Sequence, residues 1–122
     1  MNRHELLKVE LGEAGLEAFL ISKPVNVRYL SGFTGTYAIL LVTALEQVLI
    51  TDFRYIEQAV TQASEFQVVQ QGPTLIQTLV EIIEKYSLHR IGLEKDYVTL
   101  ATFEELSQNI PLVEFVPSLD FL

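Results

Sequence analysis

Cysteine is absent from this 122-residue chain. Disulfides, thiolate nucleophiles and cysteine-ligated zinc are therefore excluded. Long apolar runs are missing as well. The longest, Tyr37–Val42, falls far short of the roughly 20 residues a membrane-spanning helix needs. Histidine occurs only at positions 4 and 89 and aspartate only at 52, 96 and 120. The two histidines fall in different predicted elements and neither belongs to an HExxH pattern, so no histidine metal site is expected. Most glutamates lie on predicted helix exteriors, which argues against a carboxylate cluster. Basic residues are few: eight Lys and Arg against sixteen Asp and Glu, a net charge of -8 and a pI near 4.6. They are scattered (Arg3, Lys8, Lys23, Arg28, Arg54, Lys85, Arg90, Lys95). Without a basic stripe to neutralise phosphates, nucleic acid and anionic membrane surfaces are not expected partners. No serine sits in a G-x-S-x-G elbow, and no phosphate-binding G-x-x-x-x-G-K-[ST] loop occurs.

What is present is apolar material. Hydrophobic residues make up 49% of the chain and the mean hydropathy is +0.30. One domain with a real core follows, and surplus apolar surface belongs in that core or against another protein surface. The N-terminal "MNRHELLKVELGEAG" mixes both charge signs through its apolar positions, so it reads as an amphipathic helix and not a signal peptide. The expected compartment is the cytoplasm.

In that helix Leu6, Leu7, Leu11 and Ala14 share a face, with Gly15 as C-terminal cap. A strand over Ala18–Ile21 follows. Pro24 then permits one helical turn ending at Gly32. Strands over Tyr37–Thr43 and Gln47–Thr51 are separated only by Ala44–Glu46, which predicts an antiparallel hairpin despite a turn without Gly or Asn. Asp52 stands at an N-cap position before Ile56, Ala59, Val60 and Ala63. "FQVVQ" predicts a strand. Thr74 and Gln77 have capping-box spacing before a stripe of Leu75, Leu79, Ile82, Ile83 and Tyr86. "HRIGLE" predicts another strand, Thr99 caps a helix over Leu100, Phe103 and Leu106, and "LVEFV" ends the series. The expected class is α/β, a mixed β-sheet of about six strands with helices packed on it. The terminal "VEFVPSLDFL" ends on an apolar pair, a weak sign that the sequence is part of a longer one.

Two small polar clusters, "SGFTGT" and "TDFRY", flank the hairpin strands. Residue types allow Asp52 and Arg54 to act as an acid and a clamp. They equally allow Asp52 to cap a helix while Arg54 pairs with a nearby acid.

Read together, "LEAFLISKPVNVRYLSGFTGTYAILLVT" and "VLITDFRYIEQA" resemble the N-terminal domain of the creatinase / aminopeptidase P / prolidase family. The segments that carry the resemblance are Glu17–Ile21, Asn26–Gly35 and Leu49–Ala59. "RIGLEKDYVTLATFEEL", Arg90–Leu106, is similar to a later family segment.

The resemblance implies a two-domain metallopeptidase that cleaves Xaa–Pro bonds, or a relative such as creatinase. Chemistry would belong to a C-terminal pita-bread domain holding two divalent ions, commonly manganese, that activate a bridging water. None of those ligands maps onto residues 1–122, so no catalysis and no cofactor is expected of this chain. The implied partners are that catalytic domain, a second copy in a homo-oligomer such as a dimer, and a Xaa-Pro peptide. In the family the N-terminal domain supports oligomer formation and its loops wall the cleft, often that of a neighbouring subunit. The matching loops, Gly32–Tyr37 and Asp52–Tyr55, give Phe33, Thr34, Thr36, Tyr37, Phe53, Arg54 and Tyr55 as cleft or interface candidates. An arginine there can pair with a substrate carboxylate and an aromatic can pack on apolar side chains. The competing structural account is that Tyr29 and Leu30 fill the core and Gly32 makes a turn. Two other functions compete: a stand-alone binding module on the same fold, and the N-terminal domain of a creatinase-like amidinohydrolase. "YLSGFTG" favours the peptidase, while dipeptidase and aminopeptidase action both stay open.

Overall fold

The computed structural model describes residues 3–118. The terminal apolar pair and Asp120 lie outside the described residues. In chain order the elements are α1 (Arg3–Ala14), β1 (Ala18–Ile21), α2 (Pro24–Ser31), β2 (Ile39–Thr43) and β3 (Gln47–Thr51). A 3-10 turn (Phe53–Tyr55) leads into α3 (Ile56–Gln62), β4 (Gln67–Gln70), α4 (Leu75–Tyr86), β5 (Arg90–Glu94), α5 (Leu100–Asn109) and β6 (Glu114–Ser118). The six strands form one sheet in the order β4-β3-β2-β1-β5-β6. β2 runs antiparallel to both neighbours, and the other three pairings are parallel.

The central strands bury residues on both faces, so alternate side chains enter different cores. Ala18, Leu20, Leu41, Val48 and Ile50 join Leu79, Ile82 and Ile83 of α4 and Leu106 of α5. Phe19, Ile21, Leu40, Val42 and Leu49 join Leu7 and Leu11 of α1, Val27 and Leu30 of α2, and Ala59 of α3. The result is a three-layer α/β/α arrangement, with α1, α2 and α3 on one face and α4 and α5 on the other.

Local chemistry sets the boundaries. Gly15 adopts φ +68, and Leu16 N–H returns to Leu11 O at 2.9 Å to close α1. The hairpin turn needs no glycine because Thr43 supplies the hydrogen bonds. Its Oγ1 accepts from Leu45 N–H at 3.2 Å and Glu46 N–H at 2.9 Å. Thr74 Oγ1 accepts from Gln77 N–H at 3.1 Å and starts α4. Thr99 Oγ1 accepts from Thr102 N–H at 3.1 Å and starts α5.

Several expectations need correction. β2 begins at Ile39, not Tyr37; the Tyr37 carbonyl accepts instead from the Thr51 hydroxyl at 2.6 Å. β6 begins at Glu114, and Leu112 is exposed in the turn before it. Leu6, Ala14, Val60 and Leu100 are also exposed, because each helix meets the sheet along a narrower line than its apolar positions suggest. Leu30 fills the core as expected, but Tyr29 is half exposed.

Candidate functional site

β1, β3, β4, β5 and β6 all point the same way, so their carboxyl ends share one edge with the start of β2. In open α/β sheets this is the end where ligands bind, at the point where strand order reverses. Here the order reverses between β1 and β5. Both polar clusters lie along this edge, together with Ser22, Gln71 and Glu94.

The reversal point is filled by the protein itself. Glu94 closes β5 and is 1% exposed. Its Oε1 accepts from Ser22 N–H at 2.6 Å, Lys23 N–H at 3.0 Å and Ser22 Oγ at 3.1 Å. Its Oε2 accepts from Asn26 Nδ2 at 2.7 Å. Beside it Lys23 Nζ pairs with Asp96 at 2.9 Å, which holds the Asp96 carboxyl below its usual range. α2 has Lys23 at its N-cap position, a side chain that cannot accept from a backbone N–H, and no side-chain cap of its own. A carboxylate from another strand therefore binds the backbone leading into α2 and the Asn26 side chain of its first turn, in the place of a bound anion. Glu94 was not singled out from the sequence. The signal was there: an acid ending an apolar strand, and a proline-led helix with no local cap.

The second corner is built by the loop after α2. Gly32 caps that helix at φ +83, and a Cβ there would lie 3.0 Å from the Gln62 carbonyl oxygen. Ser31 Oγ donates to Val27 O at 2.6 Å and accepts from Phe33 N–H at 3.1 Å. The Phe33 ring turns inward, 1% exposed, and meets Tyr55 edge-on at 6.0 Å. Gly35 crosses directly over that ring; a Cβ would fall 2.2 Å from Phe33 Cζ. Phe33 thus supports the loop from below and does not present its ring to a cleft.

The remaining candidates come together above it. Thr34 N–H donates to Gln62 Oε1 at 2.9 Å, and Gln62 Nε2 donates to Thr34 Oγ1 at 3.0 Å. The Thr36 hydroxyl bonds the Tyr55 hydroxyl, and the Tyr37 hydroxyl bonds Gln71 Oε1. Burial, and secondarily the Asp52 charge, push the Tyr37 phenol above its usual pKa. A cleft of about 260 Å³ opens beside this loop, lined by Ser22, Pro24, Thr36, Tyr37, Ile39 and Tyr97 among others. Phe53 is 75% exposed at the adjoining turn.

Asp52 and Arg54 form a closed pair. Asp52 Oδ1 accepts from Arg54 N–H at 3.0 Å and Arg54 Nε at 3.1 Å, and Oδ2 accepts from Nη2 at 2.8 Å. The Arg54 guanidinium lies 5.0 Å from the Tyr55 ring centroid. Its hydrogen bonds hold the Asp52 carboxyl below the usual carboxylate range. Of the two readings left open by residue type, the cap with an internal ion pair is the observed one. Asp52 caps the 3-10 turn rather than α3 itself.

Among the described residues no group of three or more His, Asp or Glu converges to hold a metal ion. His4 Nε2 approaches Glu65 at 3.5 Å and its ring stacks near Phe66. His89 is exposed. The residues present do not fit the paired-metal centre that the resemblance implies for the catalytic domain.

Comparison with known proteins accords with this geometry. The family described as Creatinase/Prolidase N-terminal domain matches residues 3–121. An uncharacterised peptidase, YqhT, of Bacillus subtilis is 36% identical over 113 residues, covering 93% of this chain but 32% of that protein. The structure of a Xaa-Pro dipeptidase from Bacillus anthracis superposes with a TM-score of 0.91 at 30% identity, over 97% of this chain and 33% of that one. The separately solved N-terminal domain of the cytoplasmic peptidase PepQ from Mycobacterium tuberculosis gives 0.82 at 32% identity, over 97% and 92%. The chain thus spans about a third of the full-length relatives, and a whole domain of the third. It belongs to the creatinase/prolidase N-terminal domain family.

Proposed function

We propose that residues 1–122 are the noncatalytic N-terminal domain of a cytoplasmic, metal-dependent Xaa-Pro peptidase. In this reading a C-terminal pita-bread domain, outside these residues, holds two divalent ions, with manganese the first choice. The present domain supports a homo-oligomer and walls the catalytic cleft. The observation that carries the reading is the ordered corner at the carboxyl edge. There Thr34, Thr36, Tyr37 and Tyr55 are fixed by side-chain hydrogen bonds beside a cleft, with Phe53 exposed next to them. Fixed hydroxyls and an exposed ring suit a short peptide carrying a proline ring. Arg54 contributes less charge than its identity suggests, because Asp52 engages two of its guanidinium nitrogens; its role is to brace the turn that displays Phe53.

The test is hydrolysis of Xaa-Pro peptides by the complete polypeptide and by the 122-residue chain, each with manganese. The complete protein is expected to turn over and the chain alone to be inactive. Turnover that tracks the purified chain would overturn the noncatalytic assignment.

A further inference from the structure

We propose that the free edge of β4 is a self-association surface, pairing antiparallel with β4 of a second copy to make one continuous sheet. This names the surface for the oligomer proposed above, and it does not depend on the peptidase reading. The observations concern the two outer strands. Glu114 N–H donates to His89 O at 2.7 Å in the β5–β6 pairing. In a parallel ladder alternate residues bond the same neighbour, so Glu114, Val116 and Ser118 face β5, whereas Phe115 and Pro117 face outward. Pro117 has no N–H to offer there, and Glu114 is tied to Arg90 at 2.9 Å. That edge is closed to a further strand by a proline and a charge.

β4 has neither device. Gln71 N–H donates to Thr51 O at 2.8 Å, so Val69 and Gln71 face β3 and the N–H and C=O groups of Val68 and Gln70 face outward. A two-fold axis through Val69 sets Val68 against Gln70 of the second copy, and the reverse. Each of these pairs exchanges both of its backbone hydrogen bonds. Val68 and Val69 are only half buried by their own helices, and a second strand would cover both. Charge favours the same place. Two copies of a chain at -8 repel one another, yet residues 66–80 carry no charged side chain.

The absence of cysteine allows a direct test. Val69→Cys places one thiol opposite itself at a non-hydrogen-bonded position, where Cα atoms lie about 4.5 Å apart and a disulfide can close. Oxidation at about 1 mM, where weak specific dimers are populated, should cross-link Val69→Cys and leave the β6 control Val116→Cys monomeric. Sedimentation should show Gln70→Pro, which removes an outward N–H only, dimerising roughly tenfold more weakly than wild type. Cross-linking no greater at 69 than at 116, or equal association of Gln70→Pro, would place any dimer elsewhere and overturn this surface. Wild type monomeric at about 1 mM would overturn both the surface and the self-association reading. If circular dichroism shows Gln70→Pro unfolded, the cross-linking comparison decides alone. None of these outcomes bears on peptide hydrolysis.

Discussion

The carboxyl edge of the sheet carries two corners that use the same device to different ends. At one, Glu94 is buried and accepts from Ser22, Lys23 and Asn26 to start α2. At the other, Asp52 is solvent-accessible and accepts from Arg54 N–H to start the turn before α3. Both are carboxylates placed where backbone N–H groups lack partners. The buried one fills the position where α/β folds bind ligands. The accessible one stands beside hydroxyls fixed by side-chain hydrogen bonds, an exposed aromatic ring and a cleft. With the usual ligand position self-occupied, the second corner is the part of this edge that stays open beside a cleft.

Substitutions test that contrast, beginning with the largest effect. Glu94→Ala strands four donors, the Ser22 and Lys23 N–H groups, the Ser22 hydroxyl and the Asn26 amide, and should destabilise the 122-residue chain by about 3 kcal/mol, measured by denaturant unfolding. A loss no larger than for a surface residue would show that the buried corner does not hold α2. Gly35→Ala should cost about 1–3 kcal/mol, because Phe33 must move to admit the new Cβ. Wild-type stability there would mean that the loop is free to shift away from the ring.

Asp52→Ala removes an accessible cap, so a fall of a few degrees in Tm at neutral pH is expected. The sign with pH follows from its lowered carboxyl pKa. A depressed carboxyl contributes stability above its unfolded value and loses it as pH falls through the folded one. The Tm gap between wild type and Asp52→Ala should therefore be constant from pH 8 to 5 and close below about pH 4. A gap that closes at neutral pH would assign the effect to another group. Arg54→Ala should be the mildest, with Tm within about 3 °C of wild type. A larger fall would make the arginine a structural element of the domain.

Much of the fold was legible because its causes are local. The strands over 18–21 and 47–51 are bounded by polar punctuation, and the Thr74 and Thr99 caps act within three residues of themselves. The Asp52–Arg54 pair was one of two local readings for the same reason. Glu94 was not legible as a cap, since its partners Ser22 and Asn26 lie 72 and 68 residues away and only the β1–β5 pairing joins them. Phe33 misled in the opposite sense. An aromatic residue in a glycine loop has the look of a cleft wall, and nothing nearby in sequence says that Gly35 folds over it. Tyr37 has the apolar continuity of a strand residue, and periodicity does not reveal that its carbonyl is claimed by Thr51.

Phe53 and Arg54 of the accessible corner are proposed to serve a peptidase cleft while remaining dispensable to the fold. The most direct measurement is kcat/KM for Xaa-Pro peptides in the complete polypeptide carrying Phe53→Ala with Arg54→Ala, alongside the Tm of the same protein. A fall of at least about tenfold is expected, a loss of roughly 1.4 kcal/mol in transition-state stabilisation, with Tm within about 3 °C of wild type. Unchanged kinetics, or a fall matched by loss of the folded protein, would contradict it.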